Sequence, residues 1–353
     1  MGRIGKRRTP LWARLGVAVG SLLLAPALVV GQATPGLSGP RTIAGPLNLL
    51  LVGIDPRDDH TAPLADSIVV AHVPADRHGI VLFSIPRDLV VTIPAFAKSG
   101  TPAQRSKINA AMGLGSRLGG DRYSAAQGYE LLAQTVGEVT GIRRFDAGAV
   151  LNFGGFTRMV QAVGGLSMPI DQTVVSEHRK PDGTPRDRLA ECPGHDNCHR
   201  PYIGPQKIYP KSDTPVHLEP WEALDFVRQR YGLPRSDYDR QRHQRQFLKA
   251  LAKKMKRKIL STPDGLVRTT TAIGDSLTFI GGGHRLADWA AELKDLHLNA
   301  MTGVGLPGGP LFENGVYRGE QLSPAVTPFF TAVATDTVPQ YLLSHPGVVT
   351  LDS

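Results

Sequence analysis

The feature that most constrains the fold is a set of three short apolar segments at residues 48–54, 67–73 and 79–85. Each is rich in β-branched residues and is bounded by Pro, Asp or Gly, which is typical of strands. Their apolar residues run almost continuously, which indicates strands that are buried on both faces. With helices predicted between and after such strands, the sequence predicts an α/β domain whose sheet is covered on both sides.

Helix and loop signals divide the rest of the chain. Ser124 can cap a helix that runs to about Val139, and Gly164-Gly165 is a natural stop for a second helix. The other predicted elements are a strand at 145–153, helices at 220–231 and 238–260, and a tail from residue 286 with one helix, a Gly/Pro-rich loop and a helix at 329–343.

The predicted domain organisation has four parts: a basic segment at 1–14, an apolar segment at 15–33, a linker at 34–45 and one domain at 46–353. The core of the domain lies at 46–260 and contains a polar insertion loop at 172–218. That loop is rich in Pro and Gly.

The N-terminal segments predict export. The basic residues of the first segment are Arg3, Lys6, Arg7, Arg8 and Arg14, with no acid among them. Positive charge before an apolar stretch keeps the N-terminus in the cytoplasm. Two interpretations are open: an uncleaved signal anchor, which we favour, or a signal peptide cut after Ala33. We expect a single-pass protein of the cytoplasmic membrane with an extracytoplasmic domain, or a secreted protein if the segment is cleaved.

Composition excludes several classes of protein. An apolar fraction of 41% is too high for a mainly disordered chain, and one apolar segment cannot build a polytopic transporter. The formal charge is +9, from 40 Lys and Arg against 31 Asp and Glu, and falls to +4 without the five basic residues of the first segment. This small excess gives little support to nucleic-acid binding, so we expect no nucleic-acid partner.

The two cysteines, Cys192 and Cys198, lie close together with His195 and His199 beside them. This spacing is compatible with a compact zinc site. In an exported protein, a disulfide that closes a small loop is the favoured interpretation.

Charged residues collect at the ends of the three predicted strands, after the first and third strands and at the start of the second. They are Asp55, Arg57, Asp66, Arg87 and Asp88. Ligand sites of open α/β sheets lie beside strand ends. Carboxylates there suit a hard divalent cation such as Mg²⁺, and arginines suit phosphate oxygens. The set therefore predicts a site for a metal and a phosphate, although a single Asp of this kind is more often ordinary turn chemistry.

A second charged cluster covers two predicted helices. It contains Arg228 and Arg230 at the end of the first helix and Arg240 and Gln244 near the start of the second. Arg240 and Gln244 are four residues apart, so they share one helix face. Nine Lys and Arg and no acid lie between Arg240 and Lys258, which also fits a solvated basic face or contact with membrane phosphates.

Together these residues resemble the LytR-CpsA-Psr family, whose members attach glycopolymers to the bacterial cell wall. The resemblance covers roughly residues 46–260 and rests on the order and spacing of several short motifs. The motifs are Leu-Leu-Val-Gly-Ile-Asp55-Pro-Arg57, Ala-Asp66-Ser-Ile, Ser-Ile-Pro-Arg87-Asp88, Lys107-Ile-Asn-Ala-Ala, Phe153-Gly-Gly-Phe156, Val-Arg228-Gln-Arg230 and Asp237-Tyr-Asp-Arg240-Gln-Arg-His-Gln244.

The resemblance implies an α-β-α sandwich around a central mixed sheet and a polyprenyl-pyrophosphate-linked substrate. By resemblance, Asp55 and Asp66 hold Mg²⁺ or Mn²⁺. The residues implied to bind the pyrophosphate are Arg57, Arg87, Lys107, Arg228, Arg230, Arg240 and Gln244. The prenyl chain is expected in an apolar tunnel. Phe153, Phe156 and Val160 are candidates for its lining, although core packing is the favoured interpretation of each.

Two positions depart from the family pattern. Leu64 stands where the family often has Arg two residues before the second aspartate, and His243 stands where it commonly has Arg. Leu64 puts one head-group or acceptor contact in doubt, for which Arg57 can compensate. Neither departure removes a residue assigned to the metal.

The implied reaction is transfer of a glycopolymer to a hydroxyl of peptidoglycan, with release of polyprenyl phosphate and Arg87, Asp88 and Arg240 as catalytic residues. Polymer selectivity is expected in surface loops such as 172–218. The alternatives are a noncatalytic polyprenyl-pyrophosphate binding protein and a polyprenyl-pyrophosphate pyrophosphatase. A membrane-attached transcriptional regulator and a serine hydrolase gain little support, because the sequence shows neither a helix-turn-helix nor a Gly-x-Ser-x-Gly elbow.

Overall fold

The structure is a computed structural model, and it describes residues 42–55, 61–189, 201–261, 271, 277–285, 288–289, 292–293, 296–345 and 350–352. Several predictions fall outside these residues. They concern the segments at 1–14 and 15–33, most of the linker at 34–45, Arg57, and the pair Cys192 and Cys198.

Seventeen strands lie in the described part of the chain. They are β1 (Leu47–Ile54), β2 (Ala65–Val73), β3 (Ile80–Ser84), β4 (Val90–Ile93), β5 (Gln104–Lys107), β6 (Ala147–Asn152), β7 (Leu166–Ile170), β8 (Val174–Val175), β9 (Asp187–Arg188), β10 (Tyr202–Ile203), β11 (Ile208–Tyr209), β12 (Ser212–Leu218), β13 (Leu277–Ile280), β14 (Met301–Gly305), β15 (Gly308–Glu313), β16 (Val316–Leu322) and β17 (Thr350–Leu351).

Seven α-helices are described in the same residues. They are α1 (Ala110–Ser116), α2 (Ala125–Thr140), α3 (Phe153–Ala162), α4 (Pro220–Arg228), α5 (Asp237–Ser261), α6 (Thr327–Ala334) and α7 (Val338–Ser344). The predicted N-cap of α2 is confirmed, because the Ser124 side chain accepts a hydrogen bond from the backbone N–H of Gln127 at 3.2 Å.

Seven strands form the central sheet, in the order β13-β6-β1-β2-β3-β14-β17. The pairs β1–β6 and β3–β14 are parallel and the other pairs are antiparallel, so the sheet is mixed. The predicted α/β fold with a central mixed sheet is therefore confirmed. Three further strands have no counterpart in the prediction: β13, which lies between α5 and the tail, and β14 and β17, which come from the tail.

Strand direction brings the charged residues to one edge of this sheet. Strands β1 and β3 run the same way, so Asp55 and Arg87 follow strands that end at the same edge. Strand β2 runs the opposite way and begins at that edge, which places Asp66 between them. Because β2 is antiparallel to β1 and β3, Asp66 at the start of β2 lies beside Asp55 and Arg87, which follow β1 and β3.

Helices cover both faces of the sheet, as its apolar strands require. On one face, Leu50 and Phe83 pack with residues of α1, α2 and α6. On the other face, Leu49 and Leu82 pack towards α5 and the tail, while α3 and α4 pack with α5 in a neighbouring cluster. Alternate residues of β1 therefore point to opposite layers, although both layers are apolar.

Two regions differ from the predicted structure. The segment at 172–218 is more than a loop, because it contains β8 to β12 and its last strand pairs with β7. In the tail, the predicted Gly/Pro-rich loop is the antiparallel hairpin β15–β16. The predicted helix at 329–343 is two helices, with Asp336 between them at a φ of +55°. Short β-strands with Pro and Gly carry a weak sequence signal, which explains these errors.

None of the helices among the described residues is both long enough and apolar enough to span a bilayer.

Candidate functional site

A large cavity opens at the charged edge of the sheet, between the sheet and α5. Its volume is about 1250 Å³. Its inner wall is apolar and includes Leu51, Ala149, Phe156, Met159, Phe247, Leu248 and Leu251. Its outer wall is polar and includes Asp55, Asp66, Arg87, Asp88, Arg228, Arg230, Arg240 and Gln244. Of the candidate tunnel residues, Phe153 and Phe156 line the cavity, whereas Val160 is fully buried in the core beside it.

Arg87 is held at the cavity by the carboxylates around it. Its Nη1 donates to Asp66 Oδ1, and its Nε lies 3.6 Å from Asp88 Oδ2. Burial opposes the charge on Arg87, but Asp66, Asp237 and Asp88 outweigh burial and raise its pKa. The guanidinium therefore stays charged although its side chain is only 18% exposed.

Arg240 lies one turn into α5 and is almost completely buried, with 8% of its side chain exposed. Its Nη2 lies 2.6 Å from Asp237 Oδ1 and donates to the Asp66 carbonyl at 3.2 Å. Burial lowers the pKa of Arg240, and the nearby charge of Arg87 adds to this effect, while Asp237 opposes it. A guanidinium still remains protonated in proteins, so it favours an anionic ligand beside it.

Two buried nitrogens reinforce this conclusion. Arg87 Nε and Arg240 Nε have no hydrogen-bond partner among the described residues. Buried donors are rarely left unpaired, because each costs about 1–3 kcal/mol or more when charged. Both arginines line the cavity, so an oxyanion bound there is a natural partner for both donors.

Arg228 and Arg230 reach the cavity from the C-terminal end of α4. Arg228 Nη2 lies 3.5 Å from Asp55 Oδ2, and its guanidinium stacks 4.1 Å from the centre of the Phe153 ring. Arg230 Nη2 donates to the Tyr231 hydroxyl at 2.8 Å. The helix ends between them because Gln229 is extended, with a φ of −67° and a ψ of +134°. This turn lets residues two apart reach the same cavity.

The contacts of Gln244 and Lys107 differ from those expected of residues that bind a pyrophosphate directly. The Gln244 amide links two elements, because its Oε1 accepts from Ser67 Oγ at 2.8 Å and its Nε2 donates to the Val227 carbonyl at 3.3 Å. Lys107 is not part of the described cavity lining. Its Nζ lies 3.0 Å from Asp88 Oδ1, so it contacts the site through that carboxylate.

The donor set suits a hard divalent cation. Asp55 and Asp66 both line the cavity, and their side chains are 35% and 26% exposed. The described residues contain no group of three or more His, Cys, Asp or Glu that could hold a metal by themselves. Mg²⁺ often takes only one or two carboxylates and completes its coordination with water and substrate phosphates. Two carboxylates beside the arginines of the cavity fit that pattern.

A model of the LytR_cpsA_psr family matches residues 34–317 of this chain. That match covers most of the sequence, including every described residue of the cavity wall. The chain belongs to this family.

Comparisons with individual proteins agree. The chain is 26% identical over 236 residues to polyisoprenyl-teichoic acid–peptidoglycan teichoic acid transferase TagU of Bacillus cereus, covering 67% of this chain and 58% of that protein. It is 26% identical over 265 residues to the protein of the same name in Halalkalibacterium halodurans, covering 74% of this chain and 70% of the other. The chain thus spans less than two thirds of the length of the Bacillus cereus relative.

A solved structure shares the fold. The crystal structure of protein gbs0355 from Streptococcus agalactiae superposes with a TM-score of 0.61 at 18% identity, covering 83% of this chain and 88% of that chain. At this identity the similarity concerns the fold alone.

The two departures from the LytR_cpsA_psr pattern have different surroundings. Leu64 lies on the cavity wall and is 45% exposed, so an Arg at this position would have faced the cavity. His243 is fully buried in α5 and is not among the described residues that line the cavity. It stacks on Phe226 at 4.7 Å and its Nε2 lies 3.2 Å from Asp171 Oδ1. The change at 243 is therefore a matter of packing, not of the cavity.

Sequence reasoning missed part of the cavity wall. The segment at 172–218 contributes Glu177, His178, Arg188 and Tyr202, and Tyr231 lies nearby. Burial and then the charges of Arg228 and Arg188 lower the pKa of His178 to about 4, so it is neutral near pH 7. The sequence signal for these cavity residues was weak. It consisted of the arginines and aromatic residues of a segment whose polar composition otherwise predicts a surface loop.

Proposed function

We propose that this protein transfers a glycopolymer from a polyprenyl-pyrophosphate carrier to a hydroxyl of peptidoglycan. The observation that supports this most directly is one cavity with an apolar interior and a charged rim. A prenyl pyrophosphate has the same division, with a long apolar chain attached to a compact anion. The names of the TagU relatives describe transfer of teichoic acid from a polyisoprenyl carrier to peptidoglycan, which is the same class of reaction.

The apolar interior would hold the prenyl chain. Residues of β1, β6, α3 and α5 supply its wall, and Phe156 stacks on Phe247 at 4.5 Å. Burying a prenyl chain contributes about 0.8 kcal/mol for each methylene removed from water. This interior selects for a lipid carrier and leaves the pyrophosphate at the rim.

The charged rim would hold the pyrophosphate. Arg87, Arg228, Arg230 and Arg240 are placed to contact its oxygens, and Gln244 keeps β2 and α4 in position around it. Five arginines and four carboxylates line the described cavity, which leaves one net positive charge. This excess is smaller than the charge of a pyrophosphate diester, so an additional cation is expected.

Asp55 and Asp66 are the residues that would hold that cation, for which we propose Mg²⁺ or Mn²⁺. When bound, it would neutralise phosphate oxygens and stabilise the leaving group. In the structure each of these carboxylates pairs with an arginine. When the pyrophosphate binds, each carboxylate would exchange its arginine partner for the metal ion.

The proposed chemistry is a single displacement at phosphorus. The acceptor hydroxyl oxygen forms a bond to the sugar-linked phosphorus, and the bond from that phosphorus to the bridging oxygen breaks. Prenyl phosphate leaves with the bonding electrons, and Asp88 receives the hydroxyl proton. Arg87 and Arg240 stabilise the negative charge that develops on the phosphate oxygens.

The proposed location follows from the substrate. A carrier lipid lies in the membrane and peptidoglycan lies outside it, so the protein would act at the outer face of the cytoplasmic membrane. The basic and apolar segments at 1–14 and 15–33 support an N-terminal anchor, or a secreted form if the chain is cut after Ala33. The proposal includes no nucleic-acid partner.

The test uses the full-length protein, Mg²⁺, a prenyl-pyrophosphate-linked oligosaccharide and soluble peptidoglycan chains. We expect prenyl phosphate to be released together with a new phosphodiester on the acceptor. Release without an acceptor product would indicate a pyrophosphatase, and stoichiometric retention without turnover would indicate a binding protein.

The matched variants are Arg87→Ala and Arg240→Ala, with Arg285→Ala as the control. Each cavity variant should lower kcat by about 10²–10³, the usual effect of removing one donor to transition-state charge. Arg285 is 85% exposed and pairs only locally with Asp288, so its variant should keep the rate. Near-normal transfer by Arg87→Ala, in a protein that is still folded by circular dichroism, would exclude the role given to Arg87.

A further inference from the structure

A cluster of aromatic and charged side chains lies beside Asp88, just outside the cavity. The hairpin β15–β16 meets the catalytic segment directly, because the Glu320 backbone N–H donates to the Asp88 carbonyl at 2.8 Å. Asp88 lines the cavity, whereas Lys107, Tyr317 and Glu320 are absent from its described lining. Asp88 thus stands at the border between the cavity and the hairpin.

Glu320 organises the centre of this cluster. Its two carboxylate oxygens accept hydrogen bonds from Tyr317 Oη at 2.9 Å and Tyr238 Oη at 3.0 Å. Burial and the neighbouring Glu320 raise the pKa of both tyrosines, so both hydroxyls keep their protons. The Tyr317 ring is fixed by this contact, and Lys107 Nζ lies 5.4 Å from its centre.

The cluster continues outward as an exposed aromatic pair. Phe312 and Tyr317 are cross-strand neighbours, with ring centres 5.9 Å apart, and they are 58% and 44% exposed. The two rings lie side by side, and contiguous exposed apolar groups mark interaction sites more often than single exposed residues do. Arg105 lies beside them, with its Nη1 2.7 Å from Glu313 Oε1.

The charges on this surface are balanced. Three cations, Lys107, Arg105 and Arg318, face three anions, Asp88, Glu313 and Glu320. A polyanion or an anionic membrane would favour an excess of positive charge instead. A surface that combines aromatic rings with charged hydrogen-bonding groups suits a chain of sugars. Sugar rings present apolar C–H faces, which pack on aromatic rings, and hydroxyls, which hydrogen-bond to charged groups.

We propose that the exposed face of β15–β16, with Lys107, binds the acceptor glycan strand and delivers its hydroxyl to Asp88. This inference rests on the proposed transfer reaction. Tyr317 and Phe312 form the platform for the sugar rings, while Glu320 and Lys107 orient the strand. The donor enters from the cavity and the acceptor from the hairpin, so the two substrates meet at Asp88 from opposite sides.

The test measures the initial transfer rate against the concentration of soluble peptidoglycan chains, with the full-length protein and saturating donor. Phe312→Ala and Tyr317→Ala are the variants, and Leu343→Ala is the control because Leu343 is 84% exposed and lies on α7. We expect each variant to raise KM for the acceptor about tenfold. KM for the donor should change less than twofold in both.

A second measurement separates this inference from the proposed function. Binding of the same glycan chains, without donor, is titrated by NMR against the wild type and the two variants. If the wild type transfers nothing but binds the chains, and the variants do not bind them, the surface is supported while the reaction fails. An unchanged acceptor KM and equal binding in both variants, or no binding by the wild type, would overturn the inference.

Discussion

Arg245 and Asp352 form an ion pair that is almost fully removed from water. Their side chains are 2% and 1% exposed. The contact is bidentate, with Nε and Nη2 of Arg245 at 2.6 and 2.8 Å from the two carboxylate oxygens, and Nη1 donates to Ser84 Oγ at 3.0 Å. One residue therefore links α5 to β3 and to the segment after β17.

Removing the carboxylate would leave a buried guanidinium without its counter-charge. Asp352→Ala should lower the free energy of unfolding by about 3–5 kcal/mol, measured by urea denaturation of the full-length protein. Asp288→Ala removes the partner of an exposed arginine and should cause no measurable change. Equal stability of Asp352→Ala and the wild type would contradict the structural role of this pair.

At the scale of elements, Asp171 ties the end of β7 to α5. Its Oδ2 accepts from Arg242 Nε at 2.7 Å and from Gln246 Nε2 at 2.8 Å, and its Oδ1 lies 3.2 Å from His243 Nε2. Burial alone would raise the pKa of Asp171, but contacts with His243, Gln246 and Arg242 outweigh it and lower the pKa well below its usual range. Helix α5 forms one wall of the cavity, so this anchor also holds the site.

The direction of that shift fixes a pH dependence. A carboxylate with a lower pKa in the folded state contributes stability that is fully present above its unfolded pKa, about 3.9, and is lost as the pH falls towards the folded pKa. The stability difference between the wild type and Asp171→Asn should therefore shrink between about pH 5 and pH 2.5. Urea midpoints measured across this range test the prediction, and a constant difference would count against it.

At the scale of the whole molecule, the cavity lies where α5 packs over the sheet, because residues of β1, β6 and α5 all line it. Leu248 faces this space from α5, between the cavity and the smaller apolar space beside it. Ligand cavities of this kind are lined mainly by apolar side chains, and here α3, α5 and the sheet together supply that lining.

Filling that space should discriminate between donors by length. Leu248→Trp should raise KM about tenfold for a donor with a long prenyl chain, because displacing two methylenes costs about 1.5 kcal/mol. A donor with a short chain should be affected less, and Leu343→Trp on the exposed side of α7 should affect neither. Initial rates with both donors provide the measurement, and an equal effect on the two would exclude this wall as the chain site.

Short-range patterns in the sequence determined much of the architecture. The apolar runs predicted β1, β2 and β3, Ser124 predicted the start of α2, and the charges after the strands indicated an anion site. These features could be predicted because burial on both faces and helix capping depend on neighbouring residues. The second charged cluster, which also matches motifs of the LytR_cpsA_psr family, indicated Arg228, Arg230 and Arg240, whereas Arg188 of the cavity wall was not predicted.

Only the tertiary structure decided which distant residues meet. The antiparallel course of β2 placed Asp66 beside Arg87, and long-range pairing added β13 and the tail strands β14 and β17 to the sheet. The hairpin β15–β16 came to lie beside Asp88, where Glu320 forms a backbone hydrogen bond to Asp88 and a β-bridge with Leu89. Long-range pairing depends on the packing of the whole sheet, so residues more than 200 positions apart carry no local signal of their contact.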